Sequence, residues 1–149
     1  IGKEGFTYSA WIKPTAVPNS YNMFMGHYLP YFNIRSTRVL HLSMATGSVQ
    51  QHLSTPTSEL LILNNWYYVT ATYETSSGIM KIYINGELKA TSPSYTSPND
   101  YNYDLYIGRW ELNANPSDDY PFSGLIDEVA VYNRPLSESE IKSIYEATK

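Results

Sequence analysis

Two stretches of the chain set aromatic rings among amide, carboxylate and guanidinium groups. The first is His27-Tyr28-Leu29-Pro30-Tyr31, with Asn33 and Arg35 close behind. The second is Arg109-Trp110, which opens into Asn113, Asn115, Asp118, Asp119 and Tyr120. Such a mixture suits a sugar, because a ring can stack on the apolar face of a pyranose while polar side chains hold its hydroxyls. Trp110 is the expected platform, with Arg109, Asn113, Asp118 and Tyr120 around it. Tyr28 and Tyr31 come from the first stretch, and Tyr101 and Tyr103 offer a further wall. The other reading of Trp110, a ring packed beneath its own loop, stays open at this point.

Bond-breaking chemistry is harder to find. Glycoside hydrolysis needs two carboxyl groups about 5–5.5 Å apart, or about 6.5–9.5 Å apart with a water between them. Asp127 and Glu128 are adjacent, which in a strand sends them to opposite faces. Glu111 and Asp118 fall in a loop with no strand partner. His27, His41 and His52 accompany no Ser or Cys nucleophile motif and lack the short spacing of a zinc site. No catalytic residue is expected, and the chain is not read as an enzyme.

Asp127 poses a different question. Strand alternation puts it on one face with Leu125, Val129 and Val131, toward the core. A carboxylate there needs a partner. Backbone N–H groups would serve, and so would a calcium ion completed by other oxygens, since calcium takes six to eight. Asp100, Asp104, Asp118 and Asp119 are alternative oxygen donors in loops.

These groups need a frame. The chain has 149 residues, 42% of them hydrophobic, enough for one domain with a substantial core. Tyrosine is abundant, at 15 residues, beside 3 Trp and 4 Phe. That suits half-buried strands and contact surfaces alike. The net charge is −4 and the basic residues are scattered singly, so no phosphate-tracking stripe for nucleic acid is present. No apolar run is long enough to span a bilayer as a helix. The absence of cysteine removes disulfides and thiol chemistry together. The chain begins with Ile rather than Met and is expected to be a piece of a longer protein.

Phe6 to Lys13 alternates cleanly, with Phe6, Tyr8, Ala10 and Ile12 on one face and Trp11 on the other, and Pro14 and Pro18 are expected to stop the strand. Short strands follow at Met23–Gly26, Tyr31–Ile34, Val39–Ala45 and Val49–Leu53. The segments Trp66–Glu74, Ile79–Ile84 and Glu87–Thr91 form an antiparallel meander, closed by an Asn85-Gly86 turn of type I′. Leu105–Trp110 and Phe122–Asn133 complete the strands. Trp11 lies on the polar face of its strand, either covering the helix or a loop or lining a groove. The helix runs from Ser137 to about Thr148, with Ser137 and Glu140 as a capping box and Leu136 and Ile141 as a hydrophobic staple.

Three segments resemble the laminin-G-like, or concanavalin A-like lectin-glucanase, jelly rolls in order and spacing. They are FTYSAWIKP from Phe6, WYYVTATYETSSGIMKIYINGELKA from Trp66, and LYIGRW followed by FSGLIDEVAVYNRPLSESEI. The resemblance implies an all-β, antiparallel two-sheet jelly-roll sandwich with one short C-terminal helix, filling residues 1–149 as a single domain. It implies that Trp66, Tyr83, Asn85, Gly86 and Asp127 define the fold, with Trp66 in the core, and it adds weight to calcium at Asp127, because such jelly rolls often hold a structural calcium ion. Family members usually carry one more strand before the first segment. Only five residues precede Phe6, so that strand is expected from another segment or chain. The implied function is a non-catalytic carbohydrate-binding module of an extracellular or cell-surface protein. A structural or adhesive domain, binding protein through an open sheet edge, is the alternative, and a glycoside hydrolase the third reading.

Overall fold

The computed structural model describes residues 2–27, 29–46, 48–95, 104–109 and 120–149. Ten strands form two five-stranded antiparallel sheets. The first sheet takes β1 (Gly5–Ala16), β6 (Tyr67–Glu74), β7 (Ile79–Ile84), β8 (Glu87–Thr91) and β10 (Ser123–Tyr132), in the order β10-β1-β6-β7-β8. The second takes β2 (Tyr21–Gly26), β3 (Tyr31–Arg35), β4 (Leu40–Thr46), β5 (Val49–Ser54) and β9 (Tyr106–Ile107), in the order β5-β4-β3-β2-β9. The expected jelly-roll sandwich is therefore present.

The core lies between the sheets. Phe6, Tyr8, Ala10 and Ile12 from β1 join Val69, Ala71, Tyr73, Met80, Ile82 and Ile84 on one side. Phe24, Phe32, Ile34, Leu40, Leu42, Met44 and Leu53 face them from the other. Period-two alternation places one face of most strands here; in β2 a register shift between Met23 and Met25 brings the adjacent Phe24 and Met25 both into the core.

β1 runs past Pro14, where a stop was expected. Its pairing with β6 ends at Ile12, so the missing N–H of Pro14 faces no β6 partner, and a register irregularity follows between Pro14 and Ala16. Proline is tolerated at such a place. Asn85 and Gly86 both have positive φ (52° and 79°), the requirement of the type I′ turn. The Asn85 side chain also accepts the Tyr68 N–H (3.0 Å).

The helix α1 (Glu138–Thr148) carries the full capping box, and Leu136 and Ile141 are buried with Tyr68 and Tyr83 on the outer face of the first sheet. Trp11 covers this helix: its ring lies 5.8 Å from that of Tyr145, and its indole N–H donates to Thr148 Oγ1 (2.9 Å). Thr7 fixes the approach to the helix. Its buried hydroxyl donates to the Arg134 carbonyl (2.9 Å) and accepts the Leu136 N–H (2.8 Å).

β10 departs from the expected pattern. Ser9 pairs with Ala130 but Trp11 pairs with Asp127, so Glu128 and Val129 together oppose Ala10 in a β-bulge. The bulge shifts the alternation. Ile126 and Val129 pack on the core, whereas Leu125, on the other face with Asp127, is 54% exposed. Asp127 is correspondingly exposed, outward beside Trp11, and is not the core-facing carboxylate that unbroken alternation implies.

Candidate functional site

The outer face of the second sheet concentrates polar and aromatic side chains. In β3, Phe32 and Ile34 point to the core, so Tyr31, Asn33 and Arg35 share the other face. Register then builds rows across the sheet. Arg35 lies beside Tyr21; Asn33 lies between Met23 and His41, with Ser54 beyond; Tyr31 lies beside Ser43, with His52 beyond.

The Arg35 guanidinium sits 4.1 Å from the centre of the Tyr21 ring, and its Nη2 lies 3.3 Å from His41 Nε2. A guanidinium only donates, so His41 Nε2 accepts and Nδ1 carries the hydrogen, donated to Ser54 Oγ (2.7 Å). Burial, then the Arg35 charge and His52, push the His41 pKa down to about 3. Burial and Arg35 also lower that of His52, whose Nδ1 is hydrogen-bonded to Ser43 Oγ (2.7 Å). The two imidazoles stack at 5.2 Å. The histidine pair is therefore neutral near pH 7, and Arg35 carries the positive charge.

Asn33 is the anomaly. It is fully buried (0% exposed), yet neither its Oδ1 nor its Nδ2 has a hydrogen-bond partner among the described residues. An unmet buried amide costs about 1–3 kcal/mol, so such groups call for a ligand or ordered water to complete them. Around this buried floor stands a more accessible rim. Tyr21, Arg35 and Tyr120 are partly exposed, and His52 and Ser54 are exposed. Tyr21 meets both Tyr31 (6.3 Å between ring centres) and Tyr120 (5.5 Å) edge-on. Tyr120 has φ of 39°, an uncommon conformation for a bulky residue, while its carbonyl accepts the Met23 N–H (3.1 Å).

The structure thus brings Tyr31 and Tyr120 together through Tyr21. Tyr31 is only 3% exposed, so it supports the wall and is not an open stacking surface. Arg109 is exposed and follows Gly108, whose N–H donates to the Phe24 carbonyl (2.9 Å). Tyr28, Trp110, Asn113 and Asp118, with Tyr101 and Tyr103, lie outside the described residues. Tyr21, His41, His52, Ser43 and Ser54 were not singled out as sugar contacts. The alternation of Tyr31, Asn33 and Arg35 was a readable signal for this face, but the partners on neighbouring strands depend on register.

A second aromatic region lies on the first sheet. Trp11, Trp66, Asp127, Glu128, Thr148 and Lys149 line a cleft of about 410 Å³. Trp66, expected in the core, precedes β6 and is 41% exposed. Asp127 and Glu128 line the same cleft rather than opposite faces, because Glu128 occupies the bulge with φ of 49°. Asp127 Oδ1 accepts the Glu128 N–H (2.8 Å), the backbone partner that was one of its two expected fates. Both carboxylates are exposed. No group of three or more His, Cys, Asp or Glu side chains stands together among the described residues, so a calcium ion at Asp127 would draw its other ligands from backbone oxygens or from residues outside them. No helix among the described residues is long and apolar enough to cross a membrane.

Two packed antiparallel sheets, one presenting a polar, tyrosine-rimmed outer face, define a jelly-roll domain of the lectin type. The chain belongs to the concanavalin A-like lectin/glucanases superfamily, whose laminin-G model matches residues 1–142. It is similar to a candidate carbohydrate-binding protein from Bacteroides ovatus, with 29% identity, a TM-score of 0.78, and coverage of 93% of this chain and 40% of that one. The carbohydrate-binding module CBM40 of the Ruminococcus gnavus IT-sialidase shares the fold, with 18% identity, a TM-score of 0.77, and coverage of 97% and 84%. Mouse pentraxin-related protein PTX3 is 26% identical over 148 residues, 94% of this chain and 38% of that protein. The chain therefore spans well under half of that curated relative.

Proposed function

We propose that this domain is a non-catalytic carbohydrate-binding module of a surface or secreted protein, and that the outer face of the second sheet is its sugar contact. The buried Asn33 amide carries this reading. Its donor and acceptor both lack a partner among the described residues, which suits an amide completed by ordered water that a sugar hydroxyl reaches in turn. Tyr21, Arg35, His52 and Tyr120 form the rim, with Tyr31 behind them. Trp110, Arg109, Tyr28, Asn113 and Asp118 remain proposed contacts, since Arg109 and Tyr120 bracket the segment that holds three of them. Structural relatives bound to sialyllactose and to arabinotriose support a carbohydrate partner. The single-domain reading of residues 1–149 and a further strand laid along β10 belong to the same proposal.

A glycan array probed with the wild-type chain and with Tyr21→Ala tests it. Retained fold with lost glycan binding in the variant supports the assignment. Unchanged binding moves the site elsewhere, and a blank array for the wild type turns the balance to a protein-binding domain.

A further inference from the structure

We propose that the sugar held by this face is acidic, and that Arg35 is the residue that selects it by clasping a carboxylate or sulfate group. The inference rests on the carbohydrate-binding reading above and adds the ligand's charge to it.

Arg35 differs from several other cations of the chain in having no carboxylate partner among the described residues. Arg134 is paired with Glu140, Lys81 with Glu138, Lys89 with Glu59 and Glu87, and Lys149 with Glu146. Arg35 instead lies on the Tyr21 ring and gives one nitrogen to His41. Those two contacts fix the plane of the fork before any ligand arrives, which reduces the ordering cost of binding. The guanidinium has five N–H donors, and the contact with His41 Nε2 engages only one nitrogen, leaving others for an oxyanion.

Nothing else on the described part of this face neutralises that charge. Its strand side chains are Tyr21, Met23, Tyr31, Asn33, Arg35, His41, Ser43, His52 and Ser54, with no Asp or Glu among them. The neutral histidines add no second positive charge, so Arg35 is the one cation among these strand side chains. Asn33 stands two residues from Arg35 on the same side of β3, about 7 Å along the strand. One sugar ring can therefore place its acidic group at Arg35 and reach the buried Asn33 amide through an ordered water.

The test uses the whole chain on an array of sialylated, uronic-acid-terminated, sulfated and neutral glycans of matched linkage. Acidic glycans are expected to bind at least about 10-fold more strongly than their neutral counterparts. Arg35→Met should cut acidic binding by about 10- to 100-fold, the range for a lost charge-assisted hydrogen bond, and weaken neutral binding far less, so that the acidic-to-neutral ratio collapses. Arg35→Lys should retain part of the preference, and Trp66→Ala, in the other cleft, all of it. The carboxylated and sulfated arms identify which oxyanion is preferred. If Arg35→Met fails to fold, salt dependence gives the answer with wild type: acidic binding should weaken from 0.05 to 0.5 M NaCl, and neutral binding should not. Equal wild-type binding of acidic and neutral glycans, or an unchanged ratio in folded Arg35→Met, overturns the inference while the carbohydrate reading stands. Failure to bind any glycan overturns both.

Discussion

Arg35 Nη2 lies 3.3 Å from His41 Nε2, and that contact holds the imidazole neutral with its hydrogen on Nδ1. It couples the candidate site to pH. The folded His41 pKa is about 3 against an ordinary 6.5, so between those values the unfolded chain binds a proton that the native chain does not. This contribution to stability is complete above pH 6.5 and is lost as pH falls toward 3, at up to about 1.4 kcal/mol per pH unit for one group. His52 shifts in the same direction. Glu140, held down to about 2 chiefly by Arg134, loses its contribution only below its ordinary 4.5. The interval from pH 6.5 to 4.5 therefore isolates the histidines. Denaturant titrations should show stability falling across it in wild type and a distinctly flatter profile in His41→Asn. Identical profiles would refute the assignment.

Asn33→Ala separates a ligand-facing amide from a structural one. Truncating a hydrogen-bonded buried amide costs about 1–3 kcal/mol. Asn33 has no such bond to lose among the described residues, so the variant should stay within about 1 kcal/mol of wild type while glycan binding disappears. A larger loss of stability would mean that the amide serves the fold.

Thr7 joins two backbone groups that are far away in sequence, and Thr7→Val leaves both the Arg134 carbonyl and the Leu136 N–H without that hydroxyl. Valine keeps the shape, so the expected cost of about 1–3 kcal/mol reports the hydrogen bonds alone. The melting temperature should drop by several degrees, with Thr7→Ser close to wild type.

What could be read in advance follows from how local each signal is. The inward set Phe6, Tyr8, Ala10 and Ile12, the Asn85-Gly86 turn and the Ser137–Glu140 cap are written in neighbouring residues, and each occurs as expected. The candidate site is not local. Tyr31, Asn33 and Arg35 could be placed on one face of β3, but their union with Tyr21, His41 and His52 requires the register of four strands. Histidines eleven residues apart look isolated in sequence, yet they stack because Ser43 brings His52 next to His41 across the β4–β5 pair. Asp127 was misplaced for a related reason. A single extra residue in β10 inverts the strand's faces, and alternation counted through it gives the wrong side.

That bulge supplies the last prediction. Glu128 holds φ of 49° without being Gly or Asn, and it lines the cleft with exposed Trp66 and Asp127. The left-handed region disfavours a residue with a Cβ by about 1–2 kcal/mol, and glycine has no such penalty. Glycine also raises the entropy of the unfolded chain, which offsets part of the gain. Glu128→Gly should therefore leave stability equal or up to about 1 kcal/mol higher, whereas Glu128→Val, β-branched and intolerant of this φ, should lower it by at least about 1 kcal/mol. Thermal melts of the three chains decide it. A destabilised glycine variant beside a tolerated valine would mean that β10 runs straight through Glu128, and Asp127 would then return to the core face.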